Sequence, residues 1–464
     1  MPVATRRLQT EGREVARIAV PVSMEFVLTL VLGFVNQVVV GTLGAVAIAA
    51  VGFANALVVI AVMTLGALGN SASILVARAR GAGNQHDVNT VVSVALAVAS
   101  MITAVLCLPL LAWSTELLRL VGASSAVAAS GSTYLALMGL TMVPTTLSAI
   151  LSGTMRSTGR PKSPLVATIV TVVLEALLAF GLVFGGGPLP RLGVPGAGWA
   201  ALVTATLKVA ILVAQAFGVH RLVSWRWPGS TSEWRRVLAP LMVLAAPLAL
   251  TALLWSGGTF LYNVVAARLG DEALAAAQIV NTLEGIFIVG SVGLMSAATA
   301  LVGRSLGAGD AVGAMTWVDR VTRSGRWTGI VFGALFAVSA LTLPVLFEHA
   351  GQAVRHAATL GILINGAFHV VKVRNLILGA GVLPAGGDVR GVITGDAVGA
   401  FVVGLPLAVL LGLHTPLGIA GVFLARVIEE VAKVAVFSWR AHRLDWQELA
   451  TRAAQPERGS RVAA

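Results

Sequence analysis

The chain has 464 residues, 57% of them hydrophobic and 11% charged, with a mean hydropathy of +0.90. Soluble domains carry roughly 25% charged residues, so a soluble fold of this length is excluded and the bilayer must be part of the solvent. The net charge of +12 fits Arg-rich cytoplasmic loops better than nucleic-acid binding, because the Arg residues are dispersed among apolar runs and form no basic face with stacking aromatics.

Residues 1–16 form a polar, basic segment expected to be cytoplasmic. The apolar run that follows is too long for a cleavable signal. Runs of about 20 apolar residues then predict twelve spans. They fall near 17–40, 46–68, 91–112, 127–150, 163–186, 194–219, 237–262, 274–300, 326–347, 355–381, 390–411 and 416–439. With the N-terminus inside, the inner segments collect Arg78, Arg80, Arg156, Arg160, Arg221, Arg226, Arg235, Arg236, Arg304, Arg320 and Arg440. The outer ones hold only Arg119, Arg191, Arg268 and Arg355. That asymmetry predicts both termini in the cytoplasm. Cys107 is the only cysteine, so no intrachain disulfide is expected.

The chain repeats itself at an offset of 226 residues: Pro21 to Gly83 resembles Pro247 to Gly309 without a gap. Matched pairs include Leu43/Leu269, Gly44/Gly270, Asn55/Asn281 and Arg78/Arg304. A doubled helical bundle is the usual plan of a secondary transporter, with its site in a cleft between halves. The expected fold is an all-α membrane protein of twelve helices. Its N-lobe (17–219) and C-lobe (237–439) hold six spans each and should be related by a pseudo-two-fold along the membrane normal. Residues 220–236 are the expected cytoplasmic linker and 440–464 the cytoplasmic tail, disordered from 451. Gly325, Gly329 and Gly333, and again Gly391, Gly395 and Gly399, make small-residue faces suited to close helix packing.

Several segments carry a family resemblance. They are the ungapped repeat with its Gly81-Ala82-Gly83 and Gly307-Ala308-Gly309 endings, the stretch Arg156 to Lys162, and Gly379 to Asp388. Together they resemble multidrug and toxic compound extrusion (MATE) transporters. The resemblance implies two six-helix lobes and export of cationic amphiphiles against inward flow of H⁺ or Na⁺. It also implies an acid in span one, where this chain has Asn36, an Arg where it has Pro384, and an acid in span seven, where Leu253, Leu254 and Trp255 stand. The family's acid late in span five is present as Glu175.

A charge in hydrocarbon costs at least about 2.5 kcal/mol, so each needs a reason. Glu175 lies about 18 Å into span five and Glu284 about 15 Å into span eight, both near midplane. Glu175, with Asn36, Glu25 and Asn55, is the expected ion-coupling group. Burial can lift a carboxyl toward neutrality for proton exchange, and Na⁺ at Glu175 and Asn36 would need further oxygens. Gln278, Asn281 and Glu284 share one side of span eight. With His369 and Lys372 they are the expected substrate-binding residues, and Glu284 is the expected partner of Lys372. For Asn55 and Asn281, helix-to-helix hydrogen bonding is expected ahead of substrate contact. Asp396, Glu429, Glu430 and Lys433 are expected nearer the membrane ends, with Glu429 and Lys433 a structural pair.

No Walker loop or His-Glu-x-x-His motif occurs, so neither direct ATP drive nor an enzyme is expected. The expectation is a plasma-membrane antiporter, monomeric, with no cofactor beyond its coupling ion and no nucleic-acid partner. Its rivals are a lipid-linked oligosaccharide flippase, hinted at by His369, Lys372 and Arg374, and an intramembrane transferase.

Overall fold

In lipid a backbone must satisfy itself, and the helix does so within one segment. The structure, a computed structural model, describes residues 2–186, 189–348 and 350–454, with side chains described from residue 12 onward. Among these residues there is no strand. Twelve helical rods each overlap one predicted span. The first six are α1 (Pro2–Gly41), α2 (Ala45–Gly81), α3 (Gln85–Ala112), α4 (Ser125–Ser157), α5 (Lys162–Phe184) and α6 (Val194–Val213, continuing to Val219). The next six are α7 (Thr231–Arg268), α8 (Asp271–Phe287 with Val289–Gly307), α9 (Ala311–Ser339), α10 (Gln352–Ala367 with His369–Gly386), α11 (Val389–Leu413) and α12 (Ile419–Arg443). The two parts of α10 meet at a 57° bend. Ten helices are long and apolar enough to cross a membrane, and α10 joins them when its parts are taken as one span. In α12 the charges Arg426, Glu429, Glu430 and Lys433 interrupt the apolar run.

The repeat is visible in the turns. Gly44 and Gly270, 226 residues apart, precede α2 and α8 at φ +99° and +112°. Side chains rarely adopt such angles, so glycine fits both places. Asn84 caps α3 by accepting from the Asp87 N–H at 3.1 Å. Its counterpart Asp310 caps α9 by accepting from Gly313 N–H at 2.7 Å. Both are ordinary N-caps.

The chain divides into two compact units. The first is Met24–Ala249, and the second joins Met1–Ser23 to Leu250–Ala464. In the first, α4 packs against α2, α3 and α6, with Leu135, Ile150, Leu151 and Met155 fully buried. The expected linker is laid along α3. Gln85 donates to the Leu222 carbonyl at 2.8 Å, and Arg226 N–H donates to Ser93 Oγ at 3.0 Å.

The division differs from the predicted lobe limits at both α1 and α7. The cause at α1 is apolar: Val15, Ile18, Ala19 and Val22 bury against Leu294, Ala297, Ala298 and Leu301 of the second unit. Glu14 pairs with Arg304 at 2.5 Å.

Within the second unit both glycine faces serve close packing. A Cβ on Gly329 would stand 2.6 Å from Val370 Cα, and one on Gly399 would stand 2.5 Å from Lys433 Cγ. The tail expectation needs correcting at its start. α13 (Trp446–Ala454) buries Ala450 among Val302, Leu306 and Ala385, so 451–454 are helical. The remainder of the predicted disordered tail, 455–464, lies outside the described residues.

Candidate functional site

In the first unit, Glu175 on α5 is held from two sides. Asn36 Nδ2, from α1, donates to Oε1 at 3.0 Å. Thr204 Oγ1, from α6, donates to Oε2 at 2.9 Å. Asn36 Oδ1 is buried and makes no hydrogen bond. Tyr134 on α4 donates to Asn55 Oδ1 at 3.2 Å, and its hydroxyl lies within electrostatic reach of Glu175. Four of the predicted coupling residues thus fall into one unit. Asn36 and Glu175 touch directly, whereas Asn55 is tied to Tyr134.

Glu25 lies apart from that contact. It is half-buried, and its Oε1 has no hydrogen-bond partner. It shares an electrostatic environment with Arg156 at the end of α4 and Lys208 on α6. Lys208 also feels Glu175. Sequence reasoning passed over Lys208, Thr204 and Tyr134. Lys208 was findable by the rule that exposed Glu175, since it interrupts the apolar run of span six.

In the second unit, Lys372 forms a direct ion pair with Glu284 and donates to Asn365 Oδ1 at 2.6 Å. The pairing expected of Lys372 is therefore present. The bend of α10 at Phe368 sets the turn from which both His369 and Lys372 project. His369 is fully buried beside Phe336, within electrostatic reach of Glu284 and Lys372. Asn281 accepts from Arg426 Nη1 at 2.7 Å. Gln278 is exposed and lies outside this network. The repeat-related Asn55 and Asn281 each bond to another helix of their own unit, as the helix-to-helix reading expects.

A second polar group in this unit corrects an expectation. Glu429, Glu430 and Lys433 lie in the middle of α12 rather than near a membrane end. Glu429 and Lys433 are buried. Lys433 meets Glu429 at 2.6 Å, Asp396 at 3.8 Å and Glu430 at 3.9 Å. Tyr262 donates to Glu429 Oε2 at 2.5 Å. These groups line a small cavity with Leu254, Trp255 and Arg426. The acid that the resemblance implies in span seven is absent, and this cavity takes its carboxylates from α11 and α12 instead.

Two chemistries follow from these arrangements. Glu175 has donors for its charged form and an unused amide oxygen beside it. In the second unit Glu284 has Lys372 to itself, whereas Glu429, Glu430 and Asp396 share the single Lys433.

Comparison with known proteins matches this architecture. The pattern of the MatE family covers residues 21–180 and 247–410. A probable multidrug resistance protein NorM from Bradyrhizobium diazoefficiens is 29% identical over 451 residues, spanning 91% of either chain. Another from Deinococcus radiodurans is 32% identical over 314 residues, 67% of each chain. In fold, the chain resembles an outward-facing multidrug resistance MATE family transporter of the MOP superfamily. The TM-score is 0.85 at 19% identity, over 94% of this chain and 97% of that one. The Vibrio cholerae MATE transporter VcmN in its bent form gives 0.85 at 21% identity, over 96% and 98%. The twelve-helix fold, the doubled sequence and the family match agree: the chain belongs to the MatE family of multidrug efflux transporters.

Proposed function

We propose that the protein is an antiporter that exports cationic or amphipathic small molecules in exchange for H⁺ or Na⁺, with Glu175 as the coupling group. The observation that carries this reading is the cradle around Glu175 from α1 and α6. As a carboxylate, Glu175 accepts from Asn36 Nδ2 and Thr204 Oγ1. As a carboxylic acid it can donate to Asn36 Oδ1 once the amide turns over, because that oxygen is otherwise unused. Both charge states are thus satisfied by one small rearrangement, which suits a group that loads and unloads an ion. The substitution of Asn for the family's usual acid leaves one titrating carboxylate at this point rather than two.

Glu25 and Asn55 support the same site, and Na⁺ held by Glu175 and Asn36 is the alternative to a proton. Glu284, Asn281, His369, Lys372 and Gln278 form the substrate-contacting set, in the C-lobe (237–439), whereas the coupling residues belong to the N-lobe (17–219). The protein works as a monomer in the plasma membrane with both termini cytoplasmic, and it needs no cofactor beyond the coupling ion. A lipid-linked flippase would need free cationic groups, and the neutralisation of Lys372 by Glu284 weighs against it.

Glu175→Gln keeps the size and one acceptor oxygen but cannot titrate. In proteoliposomes it should abolish gradient-driven efflux of a cationic dye while leaving dye binding. Undiminished efflux by this variant would end the proposal.

A further inference from the structure

We propose that Lys208 is a tethered counter-cation shared by Glu25 and Glu175, standing where a metal cation would otherwise be needed, so that the first-unit site exchanges protons and not Na⁺. The inference rests on the reading of Glu175 as coupling group and deepens it by choosing the ion.

The geometry begins on α6. Thr204 Oγ1 touches Glu175 Oε2, which fixes that face of the helix toward the acid. Lys208 follows Thr204 by four residues, one turn on, and projects from the same face. On α1, Glu25 and Asn36 are eleven residues apart, three turns, so they too share a face, with roughly 16 Å between their levels. Asn36 binds Glu175 at one level. Glu25 stands at the other, and its Oε1 is buried without a hydrogen-bond partner. The Lys208 ammonium lies within electrostatic reach of both carboxylates, yet forms an ion pair with neither. Its four-carbon stem leaves it free to move toward either one.

The remaining charge within its electrostatic reach is Arg156 of α4, and Tyr134, also of α4, lies within electrostatic reach of Glu175. Arg156 is tethered, since its Nε donates to the Ser152 carbonyl at 3.1 Å. Two acids are therefore matched by two bases, one tethered and one mobile, and the site is neutral when both acids are ionised. A Na⁺ ion entering it would meet Lys208 and Arg156 without an excess of negative charge, in surroundings where repulsion between like charges is strong. A proton carries no such penalty, because it neutralises Glu175 at the atom. Lys208 is then left to Glu25, whose empty acceptor can receive it. Proton uptake at one level thus moves a positive charge to the other without any metal ion.

The test compares wild type, Lys208→Met, Lys208→Gln and Lys208→Arg, each purified in detergent and checked for a normal melting profile. Binding of radioactive Na⁺ is measured by equilibrium dialysis at neutral pH, and dye efflux is measured in proteoliposomes under a pH gradient or a Na⁺ gradient. Wild type and Lys208→Arg should bind Na⁺ weakly and be driven only by the pH gradient. Lys208→Met and Lys208→Gln should bind Na⁺ about tenfold more tightly or better, with the gain removed by adding Glu175→Gln. Equal Na⁺ affinity in wild type and both neutral variants would overturn the proposal, as would wild-type efflux driven by Na⁺ alone. The Na⁺-binding measurement needs no transport. A failure of Glu175 as coupling group, seen as efflux by Glu175→Gln, is therefore distinguishable from a failure of Lys208.

Discussion

A charged side chain in this protein survives among apolar helices only when a neighbour shares its charge or its hydrogen bonds. Glu284 and Lys372 show the strict form. Lys372 is buried, and it holds both Glu284 and Asn365. Lys372→Met should cost about 3–5 kcal/mol, because it strands a buried carboxylate. Lys372→Met combined with Glu284→Gln should regain most of that loss. Thermal unfolding in detergent reads both, and a double variant no more stable than the single would show that the pair contributes little. At this scale the sequence was legible wherever one charge stood in one apolar run: Glu175, Glu25, Glu284 and Lys372 were all found that way. Lys208 obeyed the same rule and was passed over. Thr204, Tyr134 and Tyr262 were not legible, since ordinary polar residues of apolar helices gain meaning only from partners such as Glu429, which lies 167 residues from Tyr262.

Elements followed from hydropathy more faithfully than their ends did. All twelve rods coincide with apolar runs, yet α2, α4 and α7 extend well beyond the bilayer-length segments predicted, to 37, 33 and 38 residues. Hydropathy marks where lipid begins, whereas a helix continues until a glycine, a cap or a proline stops it. Glu429 and Glu430 were misplaced toward a membrane end, although they lie at the middle of α12 and share Lys433 there. The glycine faces were read correctly as packing surfaces. Gly329→Val on α9 would drive a branched side chain into the backbone of α10 at Val370. It should destabilise the second unit by about 1–3 kcal/mol. A lowered melting temperature checks this, and an unchanged one would mean that α9 and α10 can separate freely.

For the whole molecule, the doubled sequence was the most informative signal, and it recurs in the paired turns at Gly44 and Gly270 and the paired caps at Asn84 and Asp310. What the repeat did not foretell is how differently its halves use charge. The first unit keeps an acid with adaptable partners at Glu175, whereas the second pairs Glu284 with Lys372 and gathers Glu429, Glu430 and Asp396 around Lys433. Under the proposed function the titrating step is at Glu175 in the first unit, although the repeat alone would have allowed either. The most direct test is dye efflux from proteoliposomes containing wild type or Glu175→Gln, with internal pH followed at the same time. The account predicts substrate-dependent proton movement in the wild type and neither efflux nor proton movement in the variant. Proton-coupled efflux persisting in Glu175→Gln would contradict it.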